Sequence, residues 1–258
     1  MQLRILGAHQ FESKGARLTS LLIDGTLAID AGAITSALTT ADQQGIERVL
    51  LTHHHYDHTR DLVTLAANAA YTWQGQLVVY GLRHTLDMVN ACLLDGRMYT
   101  NFLEYPSIDR PTVILEAVEP YKELTIAGYQ VLGVPSTHSV PSLGYQVTSP
   151  HGKSLFFTGD TTTGISEQWP HIHPQLLITE LAGPNRLAQR FSDHGHLCAH
   201  LLEQELRRFR EVKGYLPRVI AVHIGNSYEQ EIAREIVRLA RDLEADISLG
   251  HEDMVVTL

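Results

Sequence analysis

Six residues constrain this chain more than any others: His53-His54-His55-Tyr56-Asp57-His58, directly after the apolar run Val49-Leu50-Leu51. Four imidazoles and one carboxylate crowd the point where a buried strand must end. In an extended segment, residues i and i+2 share a side. His53 and His55 can therefore grip one metal ion together, while His54 alternates away from it. Asp57 and His58 follow where the chain turns into a helix and can face a second ion. Neutral imidazoles with a carboxylate suit Zn²⁺ first, and Mn²⁺ or Fe²⁺ as well.

One loop supplies at most two ligands per ion, so the fold must deliver others. Three candidates stand just past apolar runs: His138 in Pro135-Ser136-Thr137-His138, Asp160 after Leu155-Phe156-Phe157-Thr158-Gly159, and His223 after Val219-Ile220-Ala221-Val222. Sites gather at strand ends in layered α/β folds. A carboxylate at Asp160 can bridge two cations with its two oxygens. Two cations about 3.5–4 Å apart share a hydroxide and clamp a phosphoryl centre for in-line attack.

Composition places these residues in an ordinary globular chain. Its 258 residues are 44% hydrophobic and 19% charged, which excludes disordered and fibrous classes. Mass scaling predicts about 11,000 Å² of exposed surface and a sizeable core. The net charge of −9 disfavours a protein that lives on nucleic-acid electrostatics. Two cysteines, Cys92 and Cys198, give no disulfide framework and fit a reducing compartment. No apolar run approaches the ~20 residues of a bilayer span, and the first residues read as a strand and not as a secretion signal. The expectation is a cytoplasmic protein with no membrane partner.

Short β-branched runs recur at 21–24, 27–30, 48–52, 77–80, 112–118, 143–148, 154–158, 176–179, 218–222 and 254–258. Helical patterns occupy 34–44, 60–72, 83–94, 197–213 and 229–243. In the fourth, Leu202, Leu206 and Phe209 form one apolar face. No linker divides the chain, so residues 1–258 are expected as one domain. Hairpin-like clusters mixed with single helices imply two sheets covered by helices, an α/β (α+β) arrangement.

With Asp30-Ala31-Gly32 added to the H-x-H-x-D-H loop, His138, Asp160 and His223, the pattern resembles the metallo-β-lactamase superfamily across almost the whole chain. The resemblance implies a four-layer αββα sandwich with two divalent metal ions in the cleft between its sheets. It implies that His53, His55 and His138 hold the first ion, that Asp57, His58 and His223 hold the second, and that Asp160 bridges them. The segment His138-Ser139-Val140-Pro141-Ser142-Leu143-Gly144-Tyr145 is similar to the phosphodiesterase branch, which includes ribonuclease Z and the class II cyclic-nucleotide phosphodiesterases. Leu176-Leu177-Ile178-Thr179-Glu180, then Gly195-His196-Leu197, resembles the last group. That likeness casts His196 as general acid or transition-state stabiliser and Glu180 as its orienter, with Asp57 counted among the catalytic residues; His194 is close enough to take the part of His196. Asp61 departs from the glycine common at its position.

The expected function is a dinuclear hydrolase that opens 3′,5′-cyclic nucleotides to 5′-nucleotides through a metal-bridging hydroxide. Its partner is then a small-molecule phosphodiester, with nucleic acid disfavoured and a homodimer common in the branch. The alternatives are another phosphodiester, such as a cyclic phosphate sugar or an RNA 3′ end, or a redox di-iron protein on the same fold. His171 and His173 are expected in a surface loop, and His251 near the metals. The segment 83–108 is either a substrate wall or a packed helix with a loop.

Overall fold

The β-branched runs and amphipathic segments assemble into two seven-stranded sheets in a computed structural model describing residues 1–258. The first sheet takes β1 (Gln2–Gly7), β2 (Ser20–Ile23), β3 (Leu27–Ile29), β4 (Arg48–Leu50) and β5 (Leu77–Gly81). After a small hairpin of β6 (Pro106–Ser107) and β7 (Arg110–Pro111), it gains β8 (Val113–Ala117). The second sheet takes β9 (Glu123–Ile126), β10 (Tyr129–Ser136), β11 (Ser142–Thr148), β12 (Ser154–Phe157), β13 (Leu176–Glu180), β14 (Arg218–Val222) and β15 (Ile247–Leu249). The final strand, β16 (Val255–Thr257), returns to the first sheet beside β1. The spatial orders are β16-β1-β2-β3-β4-β5-β8 and β15-β14-β13-β12-β11-β10-β9.

Each sheet is antiparallel along one half and parallel along the other. The order β16 to β3 is antiparallel and β3 to β8 parallel. In the second sheet β9 to β12 is antiparallel and β12 to β15 parallel. Parallel strands need helical crossovers, and these cover the outer faces. On the first sheet lie α1 (Ile34–Ala37), α2 (Thr40–Gln43), α4 (Leu62–Asn68) and α5 (Arg83–Val89), after the short α3 (Tyr56–Thr59). On the second lie α7 (Ala199–Lys213) and α8 (Glu229–Asp242), preceded by α6 (Ala188–Asp193).

Three apolar layers hold the four structural ones together. Leu21, Ile29, Leu50, Leu143, Phe157 and Ile178 fill the space between the sheets. Ile34, Leu62 and Leu86 seal the first outer face, and Leu202, Leu206 and Phe209 the second, as their helical spacing predicts. This is the αββα sandwich. Its accessible surface of 11,006 Å² is what mass scaling gives for a packed chain of this size. No helix is long and apolar enough to cross a membrane.

Local chemistry moved several boundaries. The single helix predicted over 34–44 is two, because Leu38 is extended and the Thr39 hydroxyl accepts from Asp42 N to start α2 afresh. The helices predicted over 60–72 and 83–94 both finish in wider π turns, at Ala69–Trp73 and Asn90–Leu94. Asp61 has a structural use for its carboxylate: Oδ2 accepts from Thr35 N at 2.7 Å and Oδ1 from Arg60 Nε at 2.8 Å, tying α4 to α1. Within 83–108, Leu94 and Phe102 are buried in the outer core, so the segment is packed there, while Met98, Tyr99 and Ile108 stay exposed.

Candidate metal centre

The sandwich brings the seven expected ligands together at one end of the two sheets, in two groups. His53, His55, His138 and Asp160 form one; Asp57, His58, Asp160 and His223 form the other. Within each group the potential ligand atoms lie within 4.8 Å of one another. Asp160 belongs to both. Its Oδ1 stands 3.2 Å from His58 Nε2, and its Oδ2 stands 3.4 Å from His223 Nε2, 3.8 Å from His138 Nε2 and 3.9 Å from His53 Nε2. Asp57 Oδ2 lies 3.2 Å from His223 Nε2 and 3.5 Å from His58 Nε2.

The loop after β4 is fixed from below by Asp30, which ends β3 fully buried with a left-handed backbone, φ 59°. Its Oδ1 accepts from Thr52 N at 2.8 Å, and its Oδ2 takes both the Thr52 hydroxyl at 2.9 Å and His58 Nδ1–H at 2.7 Å. Because the Thr52 hydroxyl donates to Asp30, its oxygen is left to accept from His53 Nδ1–H at 3.0 Å. One carboxylate thus sets the tautomers of two imidazoles, His58 directly and His53 through Thr52, and leaves both Nε2 atoms facing the cleft. The sequence marks Asp30 only as part of the resemblance. Its role needs the register of β3 beside β4, which pairs Ile29 with Leu50.

The other side of the cleft is assembled from separate strand ends. His138 donates Nδ1–H to Gly195 O at 3.0 Å, which turns its Nε2 inward, 3.2 Å from His55 Nδ1. Gly195 has φ 82°, and a Cβ there would stand 2.8 Å from His138 Nδ1, so only glycine brings that carbonyl so close. His223 ends β14 with φ 57°, a left-handed conformation uncommon for a residue with a Cβ. The halves are stitched beside the site by Leu143 N to Thr52 O at 2.9 Å and Tyr145 Oη to Leu51 O at 2.9 Å.

The charges sort by neighbourhood. Burial holds His53, His55 and His138 below the usual imidazole range, so they stay neutral. Burial would also depress His58, but Asp160, Asp57 and Asp30 together raise it well above that range. Asp160 is buried, which alone would raise it, yet His223 and His58 hold it well below the usual carboxylate range. Asp57 likewise overcomes burial and falls to about 2 beside His58 and His223.

A divalent cation fits these residues. His53 Nε2, His58 Nε2 and Asp160 Oδ1 are buried inside the cluster and have no hydrogen-bond partner. Buried polar atoms are normally paired, and orphans that converge from several elements mark where something else completes them. Imidazole nitrogens with carboxylate oxygens suit Zn²⁺, Mn²⁺ or Fe²⁺.

Beside the cluster, His196 Nδ1 donates to Glu180 Oε1 at 2.8 Å. Glu180 is wholly buried and also accepts from Thr161 N at 3.0 Å and Ala182 N at 3.2 Å. Glu180, His196 and His223 are near enough to form a third cation group, but those bonds already occupy the carboxylate, which orients the histidine instead. Burial pushes His196 down; the Glu180 charge and hydrogen bond override it and raise it to about 9. His194 is exposed, with Nδ1 donating to Arg190 O at 2.7 Å, and belongs to none of the groups.

Other histidines belong to none of these groups. His54 is half-buried against His84, ring centroids 5.2 Å apart. His171 and His173 are exposed. His251, expected near the metals, is exposed with Nδ1 at 2.9 Å from Glu252 O. Its neighbour Glu252 is the residue that reaches inward, to His9 Nδ1 at 2.6 Å and Arg17 N at 2.9 Å.

Residues 19–224 match the model of the beta-lactamase superfamily domain. A ribonuclease Z of Methanopyrus kandleri is 30% identical over 136 residues, 51% of this chain and 41% of that protein, so the match spans less than half of the relative. Unliganded yeast PDE1 superposes with a TM-score of 0.83 at 16% identity, covering 100% of this chain and 99% of that one. The human short-form tRNase Z gives a TM-score of 0.70 at 17% identity, covering 100% and 99%. At these identities the solved structures establish the shared fold.

Proposed function

The chain belongs to the beta-lactamase superfamily, in its metallo-β-lactamase form, and on that premise we propose that it is a metal-dependent phosphodiester hydrolase whose substrates are 3′,5′-cyclic nucleotides, opened to 5′-nucleotides. The observation that carries the reading is the pair of four-residue groups sharing Asp160, with the His196–Glu180 pair beside them. Two divalent cations, Zn²⁺ first and Mn²⁺ or Fe²⁺ next, would supply Lewis acidity toward the phosphoryl oxygens and would acidify water.

The residues do the rest. His53, His55 and His138 would hold one cation, Asp57, His58 and His223 the other, and Asp160 would serve both. Asp30 and Gly195 O keep the proton on the ring nitrogens that face away. His196, protonated near neutrality and held by Glu180, presents Nε2–H to the leaving 3′-oxygen and gives up that proton as hydroxide adds to phosphorus and the P–O3′ bond breaks. Glu180 stays ionised and fixes the ring. The 258 residues are taken to act as one catalytic unit.

A second reading, an RNA 3′-end hydrolase, is favoured by the ribonuclease Z match. The net charge of −9 weighs against a polyanionic substrate. Parallel assays of Zn²⁺- or Mn²⁺-loaded protein on 3′,5′-cyclic AMP and on a tRNA precursor separate the two. Release of 5′-AMP without precursor processing is expected; processing alone would replace the first reading with the second.

A further inference from the structure

The metal-side cleft, about 380 Å³, is lined by Gln10, Phe11, Tyr56, Asp57, Asp160 and His196. It shares Gln10, Phe11 and His196 with a second pocket of about 330 Å³, whose remaining walls are Arg190, Phe191, His194, Ser227 and Tyr228. Each is in the size range of small-molecule sites. The proposed reaction uses only the first.

The second pocket is walled by three aromatic side chains on backbone that is held in place. Phe11 is 62% exposed, which leaves most of the residue open to solvent. Its peptide is nonetheless clamped at both ends of one amide: Phe11 N donates to Asn226 Oδ1 at 3.2 Å and Asn226 Nδ2 donates to Phe11 O at 2.8 Å. Asn226 opens the short turn Asn226–Tyr228 that carries Ser227 and Tyr228. Tyr228 packs edge-to-face on Phe191 at 6.0 Å, with Arg186 over its ring at 5.5 Å. Phe191 in turn fits against Gly183, where a Cβ would lie 2.1 Å from its ring. Phe191 and Tyr228 are therefore packed together before any ligand arrives, and the Phe11 backbone is held beside them. Gln10, Ser227 and His194 add hydrogen-bonding groups among them. Flat apolar faces with a few convergent polar groups are what a nucleobase needs, since every base has a π face and polar edges.

We propose that the Phe11–Phe191–Tyr228 pocket is a base subsite, which takes the planar base of a single nucleotide while its phosphate lies at Asp160 and His196. This deepens the hydrolase reading and rests on it for the placement of the phosphate. The subsite explains why an exposed phenylalanine sits on clamped backbone at the mouth of a polar cleft.

The test is calorimetric binding of 5′-AMP and of ribose 5-phosphate to Zn²⁺-loaded protein, alongside turnover of 3′,5′-cyclic AMP. The wild type is expected to prefer 5′-AMP by about tenfold, the contribution of one base–aromatic stack. Phe11→Ala and Tyr228→Leu should each reduce that preference below about threefold, and Tyr228→Phe should keep it. Equal affinity of the wild type for the two ligands would overturn the subsite, as would a preference untouched by both variants. Turnover of 3′,5′-cyclic AMP without base preference refutes the subsite alone. Base preference without turnover of 3′,5′-cyclic AMP refutes the cyclic-nucleotide hydrolase reading and leaves the subsite standing.

Discussion

The two halves of the sandwich furnish the candidate centre in different ways. The first sheet offers four side chains from one continuous loop, His53, His55, Asp57 and His58, with Asp30 fixing two of their rings from beneath. The second sheet offers three, His138, Asp160 and His223, each alone at the end of a different strand. The loop is held by side-chain hydrogen bonds to a buried carboxylate. The strand ends are held by backbone: a glycine carbonyl for His138 and a left-handed turn for His223. The first half is thus a preformed claw, and the second depends on the register of the strands from β10 to β14. Asp160 is where the two meet, so loss of that one residue should cost more than loss of any other.

The largest expected effect follows. Asp160→Ala should bring metal content from two equivalents to one or fewer and lower kcat by about 10³-fold or more. Two retained equivalents by elemental analysis would show that the halves bind independently. His196→Gln should lower kcat by about 10²–10⁴-fold with metal content unchanged, and Glu180→Gln should lower it less, since the ring remains but loses its anchor; kcat measured against metal stoichiometry decides both. Asp30→Asn should weaken metal binding about 10–100-fold, with the loss concentrated on the claw that includes His53 and His58. Gly195→Ala should act on the opposite half, at about 1–3 kcal/mol from the strained backbone, read as weaker binding of one equivalent only.

The smallest effect is on stability, at a pair that belongs to neither ligand group. Glu252, paired with His9, is held at about 2 despite burial, because His9 and Arg17 N bond its carboxylate. A depressed carboxylate stabilises the fold above its unfolded value near 4.5 and loses that contribution as pH falls towards 2. Its partner His9 is raised: Glu252 and Glu229 outweigh burial, so its contribution is full below pH 6.5 and declines as pH rises through the folded value. Glu252→Gln should therefore lower Tm by a few degrees between pH 5 and 6.5, about 1 kcal/mol after solvent screening, and by less at pH 3, where part of that contribution is already lost. An equal drop at both pH values would remove the ion pair from the explanation.

The same asymmetry decides what the sequence made legible. The claw is legible because ligands two residues apart on a strand must share a side, whatever the rest of the chain does. His138, Asp160 and His223 are legible only together, as polar residues after apolar runs. The Leu202, Leu206 and Phe209 face is legible from spacing alone and is buried as expected. The hairpin of β9 and β10 was hidden because its turn uses Ala127 at φ 50° in place of the usual Asn or Asp. The break within 34–44 was hidden because Thr39 can either cap a helix or sit inside one. The anchors, Gly195 O and the Asp30–Thr52–His53 chain, depend on contacts across the fold that no local pattern encodes. So does the clamp of Asn226 on Phe11, residues 215 positions apart.

The most direct measurement of the central claim is hydrolysis of 3′,5′-cyclic AMP by protein verified to hold two divalent cations, with the product identified by chromatography. Two groups sharing Asp160, served by His196, predict metal-dependent release of 5′-AMP that disappears with chelation and returns with Zn²⁺ or Mn²⁺. Protein that carries two cations and leaves 3′,5′-cyclic AMP intact would contradict the cyclic-nucleotide assignment.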